Sequence, residues 1–166
     1  YKKIAQIAGF IATGADAFLF AEYAYLSVFG VCFAGLLFII VGAGHDWTVG
    51  GFTTLSFSIG AITSIVSGFI GMRIAVTANS RTAINARFGY EAAFGTAFKA
   101  GMVMGFGLVS LGTLVLYILI NIVAAQYPNW ATDPAQCSAL FESVAGYGLG
   151  GSSIALFGRV GGGIYT

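Results

Sequence analysis

The sequence predicts an all-α polytopic membrane protein with four transmembrane helices, and three observations carry that prediction. Of its 166 residues, 58% are hydrophobic and 8% charged, with a mean hydropathy of +0.90; a soluble domain is about a quarter charged. Four apolar segments each reach the roughly 20 residues that a helix needs to cross a bilayer. None alternates apolar and polar residues with the period of two that an outer-membrane barrel requires.

The remaining bulk properties narrow the class further. A formal charge of +1 argues against nucleic acid as a partner. Two cysteines make no disulfide framework: Cys32 sits in an apolar run and reads as a small hydrophobe, and Cys137 lies in a polar connection with no assigned role. The chain opens on Tyr1-Lys2-Lys3 with no initiator Met and no signal-peptide layout, and it closes on Gly161-Gly-Gly-Ile-Tyr-Thr166 with no polar stop. It is expected to be an interior piece of one transmembrane domain, incomplete at both ends.

Taken in order, the first apolar segment covers 18–41, and no charge occurs between 23 and 44. The second covers 51–72, the third 100–123, and the fourth runs from 140 to the end if Arg159 is tolerated. With their flanks, the expected helices are 12–42, 50–80, 90–124 and 139–166. Lys2 and Lys3 precede the first segment, and Arg73, Arg81, Arg87 and Lys99 all fall between the second and third. The other two connections hold His45 and Asp46, and Asp133 and Glu142, without Lys or Arg. The positive-inside rule therefore puts the start and the 72–99 connection in the cytoplasm. That connection lacks proline and is rich in alanine, so its flanking helices are expected to project past the bilayer and meet near Gly89. Arg73, Arg81 and Arg87 read most simply as anchors or solvated contacts, and Lys99 can snorkel to the interface.

Small residues recur every four positions: Gly30 and Ala34; Gly60, Ser64 and Gly68; Ala97, Gly101 and Gly105; Gly146 and Gly150; Gly158 and Gly162. This is the pattern that lets membrane helices approach closely, and it signals packing, not activity. The glycines of the last segment are not a phosphate loop, which needs a Lys after them between a strand and a helix. No metal-ligand spacing and no nucleophile–base pair stands out. The single histidine, His45, reads as a loop residue. Asp16 and Glu22 lie six positions apart, about 120° from coincidence on a helix. Asp16 is expected at the interface, while Glu22 is deep enough to pair with a cation on a neighbouring helix.

Arg159 is the strongest local signal, because a lone cation in a membrane-type segment is costly. It lies about 28 Å along the helix from Leu140 at ~1.5 Å per residue. Gly148, Ser152 and Ala155 share its helical side. Two readings stay open on the residues alone. The stripe could line a narrow polar path ending in a cation, or it could be a set of close helix contacts with Arg159 snorkelling outward.

The segment Gly146-Tyr-Gly-Leu-Gly-Gly-Ser-Ser-Ile-Ala-Leu-Phe-Gly-Arg159-Val-Gly-Gly-Gly-Ile-Tyr-Thr166 resembles the signature segment of membrane-integral inorganic pyrophosphatases, ion pumps driven by pyrophosphate. Ala12-Thr-Gly-Ala-Asp-Ala-Phe-Leu-Phe-Ala-Glu-Tyr23 resembles their second transmembrane helix, and Ser67-Gly-Phe-Ile-Gly-Met-Arg-Ile-Ala-Val-Thr-Ala-Asn-Ser-Arg-Thr82 their third. Ala97-Phe-Lys-Ala-Gly-Met-Val-Met-Gly-Phe106 resembles the fourth, with Lys99 where an arginine is common. The resemblance implies a homodimer with sixteen helices per subunit in two rings, the last segment here being an inner-ring helix. It implies hydrolysis of magnesium pyrophosphate on the cytoplasmic side by an activated water, coupled to outward movement of H⁺ or Na⁺. It assigns Arg159 to an ion-gating cluster with acidic and lysine partners that this chain lacks. The Mg²⁺-pyrophosphate residues of the family fall after Thr166, so no catalytic, cofactor-binding or metal-binding residue is expected in this chain. The signature leans toward the K⁺-stimulated, proton-pumping type of vacuolar or acidocalcisome-like membranes. A self-contained four-helix packing or channel module in membrane lipid is the competing expectation.

Overall fold

The computed structural model describes residues 2–44 and 46–163, with side-chain surroundings for 3–44 and 46–160. His45 and residues 164–166 lie outside the described residues. Four long helices follow one another: α1 (Lys2–Gly44), α2 (Trp47–Asn85), α3 (Tyr90–Ala124) and α4 (Pro134–Gly163), with a single 3-10 turn, Ala86–Phe88, between α2 and α3. At ~1.5 Å per residue they run from about 45 to 64 Å, well beyond the roughly 30 Å hydrocarbon core. The helices therefore carry polar-flanked extensions outside the bilayer, and the basic residues of 72–99 sit on them.

α1 begins at Lys2, about ten residues before the expected start. Its first turns carry Ile4, Ile7, Ala8 and Ile11, which face Val76 and Ala83 on the extension of α2 across a shared groove. Apolar residues at helical spacing continue the amphipathic side past the span, and the helix continues with them. The α2–α3 junction turns at Gly89, whose φ of 119° lies where a Cβ is strained and glycine is not. Asn85 Nδ2 donates to Thr96 Oγ1 at 2.6 Å across the junction and ties the two extensions together.

Termini of the helices follow local chemistry. α4 starts with Pro134, whose missing N–H costs nothing in the first turn. Asp133 precedes it, and its Oδ1 accepts from the Ala135 N–H at 3.0 Å, satisfying one of the orphan donors. At the α1–α2 turn Trp47 packs on Phe38, with ring centroids 5.5 Å apart, over the bare Cα of Gly42.

α2 is the central element, packed against α4, α1 and α3. Leu26, Ala61 and Ile154 form one buried cluster, joining α1, α2 and α4. Leu119, Val123 and Leu140 form a second, with Phe52 and Tyr147 against it. The α2–α4 contact is made by backbone, not by long side chains. A Cβ at Gly146 would collide with the Thr53 carbonyl, one at Gly150 with the Phe57 carbonyl, and one at Gly60 with the Tyr147 carbonyl. Among the small-residue pairs, Gly60 of α2 and Gly146 with Gly150 of α4 bring helix backbones into contact, while the surroundings of Gly162 lie outside those described. Gly30, Gly101 and Gly105 have open space where a Cβ would stand, so the same pattern in α1 and α3 marks no close approach between these helices.

Three helices, α1, α2 (with the turn that follows it) and α3, are each long and apolar enough to cross a membrane. The chain is thus an all-α polytopic membrane protein. α4 has the length, but glycine and serine take positions that Leu, Ile and Phe fill in α1 and α3. Its outer surface is correspondingly less apolar, because its sequence is spent on close approach to α2.

Candidate functional site

α4 has two sides of different character. Ser143, Gly146, Gly150 and Ile154 are buried against α2 and the adjoining helices. Gly148, Ser152, Ala155 and Arg159 are all exposed. At about 100° per residue the two sets face roughly opposite directions. The structure therefore keeps the candidate stripe together on one side, which α1–α3 leave exposed except where Ala155 borders a cavity among the four helices. Within this chain the glycines that meet a neighbouring backbone are Gly146 and Gly150, and nothing stands within 4 Å of a Cβ placed on Gly148. Arg159 makes no ion pair among the described residues.

Polar groups lock the packed side of α4 in register. Tyr147 Oη donates to the Gly112 carbonyl of α3 at 2.9 Å, and Ser64 Oγ of α2 donates to the Gly151 carbonyl at 3.3 Å. Thr53 Oγ1 donates to its own helix at Val49 O, 2.8 Å away, and lies 3.5 Å from the Glu142 carbonyl of α4. In an apolar span each such bond satisfies a side-chain hydroxyl that water cannot reach, on a carbonyl already bonded within its helix. Rotation of α4, and with it the direction of Arg159, is set by these contacts.

The acidic residues of α1 separate as their spacing implies. Asp16 pairs with Arg73 of α2, Oδ1 to Nη2 3.2 Å, with both side chains about half exposed. Glu22 meets no cation among the described residues. Among them its Oε1 is shielded from solvent without a hydrogen-bond partner and stands beside α4, where a Cβ on Gly158 would come within 3.3 Å of it. It opens on a cavity of about 510 Å³ among the four helices, bordered also by Ser64, Ser67 and Ala155. Sequence reasoning named Glu22, and named Gly158 only as a small packing residue; that the two face each other follows only once α1 and α4 are side by side.

Among the described residues no group of three or more His, Cys, Asp and Glu side chains could hold a metal ion.

The family model described as inorganic H⁺ pyrophosphatase matches residues 1–166, the whole sequence. The chain belongs to the inorganic H⁺ pyrophosphatase family. Among its relatives in that family, a protein of Clostridium tetani, assigned provisionally as a K⁺-stimulated pyrophosphate-energized sodium pump, is 42% identical over 99% of this chain and 21% of its own length. K⁺-insensitive pyrophosphate-energized proton pumps of Chloroflexus aurantiacus and Methanosarcina mazei are 34% and 35% identical, again over 99% of this chain and 21% and 22% of theirs. The chain thus spans about a fifth of the length of the curated relatives it matches. Pyrophosphatases of this family are membrane pumps in bacteria and archaea among these relatives, which supports multi-pass membrane embedding and does not select a vacuolar or acidocalcisome membrane.

Proposed function

We propose that this chain forms one wall of a pyrophosphate-energized proton pump, with α4 crossing the membrane and Arg159 standing in the ion path. The observation that carries the reading is the family match along all 166 residues, and the uncovered Arg159 stripe supports the role of that residue. A guanidinium stays charged at any working pH. In a low-dielectric span it attracts carboxylates and repels passing cations strongly, unless a partner offsets it. Switching that partner between bound and released states would open or close the path. The partners would come from helices outside this chain, meeting α4 on the side that α2 does not occupy. Gly148, Ser152 and Ala155 would leave the approach narrow but free of bulky side chains.

In the intact protein, magnesium pyrophosphate would be hydrolysed on the cytoplasmic side by residues that this chain does not contain. The finer reading is a K⁺-stimulated pump working as a homodimer with about sixteen helices per subunit, placed in an acidic-organelle membrane. K⁺ stimulation is supported by the 42% relative, and the K⁺-insensitive relatives are 34–35% identical. That same 42% relative is named a sodium pump, so Na⁺ is the alternative cargo.

The test is pyrophosphate-driven acidification of vesicles carrying the full-length protein, with Na⁺ and K⁺ varied. Acidification without Na⁺ supports H⁺ transport, and a strict Na⁺ requirement overturns it. Arg159→Ala is expected to lower acidification at least tenfold while leaving the amount of protein in the membrane unchanged. Wild-type acidification by that variant would remove Arg159 from the path.

A further inference from the structure

The extensions of α2 and α3 gather charge that the ion-path reading does not use. Arg73 and Arg81 lie eight residues apart on α2, on one helical side. Lys99 lies where α3 enters its span. The turn at Gly89 and the Asn85–Thr96 hydrogen bond bring these residues around one groove of about 500 Å³ between the two helices. No carboxylate lines it. Arg73 is held in place by Asp16 on one side and by the Phe69 ring, 5.3 Å from its guanidinium carbon. Arg81 and Lys99 make no ion pair or hydrogen bond among the described residues.

With Arg73 already paired to Asp16, Arg81 and Lys99 are the two cations of the groove whose mutual repulsion an anion between them would relieve. The kind of anion follows from what lies beneath. Ile74 and Val103 line the same groove, on the side where both helices enter the bilayer. Along the two helices Arg81 and Lys99 lie on the cytoplasmic side of Ile74 and Val103, whereas Arg73, next to Ile74 at the membrane end, has its charge met by Asp16. A free phosphate would leave the apolar part unfilled, whereas a phospholipid matches both the cations and the apolar part. Basic pockets between transmembrane helices on the cytoplasmic side have this chemistry.

We propose that the Arg73–Arg81–Lys99 groove binds the phosphate of an anionic phospholipid headgroup, with its acyl chains continuing along Ile74 and Val103. The proposal stands independently of the ion path. It is tested on the full-length protein in nanodiscs of phosphatidylcholine with one-fifth phosphatidylglycerol, by native mass spectrometry of the lipids retained as detergent is added. The wild type is expected to retain phosphatidylglycerol selectively. Arg81→Gln with Lys99→Gln should weaken that retention roughly tenfold or more, and Lys99→Arg, which keeps the charge, should preserve it. Equal retention by wild type and the double variant overturns the proposal. Displacement of the lipid by millimolar inorganic phosphate also overturns it and assigns the groove to a soluble anion.

Discussion

Single residues in this chain act mostly by being small or by carrying one hydrogen bond. Gly150 faces the Phe57 carbonyl, and Gly105 faces open space, although both belong to the same sequence pattern. Gly150→Ala should therefore destabilise the protein by about 1–3 kcal/mol, the usual cost of overpacking, because the clashing atoms are backbone and cannot rotate away. Gly105→Ala should be neutral or slightly stabilising, since alanine is the better helix former. Thermal unfolding of the two variants side by side is the check, and equal effects would mean the α2–α4 contact is wrong. Tyr147→Phe removes the donor to the Gly112 carbonyl and is expected to cost about 0.6 kcal/mol, the average for interhelical bonds in membranes. In each case residue type was visible in the sequence, but the neighbour that gives it consequence was not.

At the scale of elements, helices end where their chemistry runs out, not where the membrane does. The apolar residues of α1 continue to Ile4, so α1 reaches Lys2 instead of starting near residue 12. The α2–α3 hairpin is long, and one glycine reverses it. Gly89→Ala should cost about 1–2 kcal/mol, because the left-handed side of φ is closed to a Cβ. The loss should appear as faster proteolysis in the connection, with the spans still protected; an unchanged digestion pattern would show that the hairpin tolerates another turn. The position of this turn was readable from composition, since alanine-rich flanks without proline extend a helix and a glycine interrupts it. The early start of α1 was hidden, because a short polar-flanked apolar stretch gains its helix only beside the extension of α2.

For the whole molecule, the two basic features lie on different surfaces. Arg159 is on the uncovered side of α4, and no residue of α4 lines the Arg73–Arg81–Lys99 groove. Their effects should be separable. The triple change of Arg159→Ala with Arg81→Gln and Lys99→Gln is expected to show the pumping defect of the first and the lipid loss of the other two, each unaltered by the other. Measuring acidification and lipid retention on the same preparation checks this, and a lipid loss that appears only with Arg159→Ala would couple the two surfaces. The large exposed apolar side chains, such as Phe20 at 81% and Phe106 at 74%, suit surfaces that meet lipid or other membrane helices.

Class, segment order and the isolation of Arg159 needed no coordinates, because hydrophobic length and the placement of a few charges are properties of the chain itself. The signature segment carried the family for the same reason. Which glycines touch, that Asp16 rather than Glu22 meets an arginine, and that three cations converge between α2 and α3 depended on how the helices turn about their axes. Sequence spacing places residues on a helical side, but only packing against a neighbour decides where that side points.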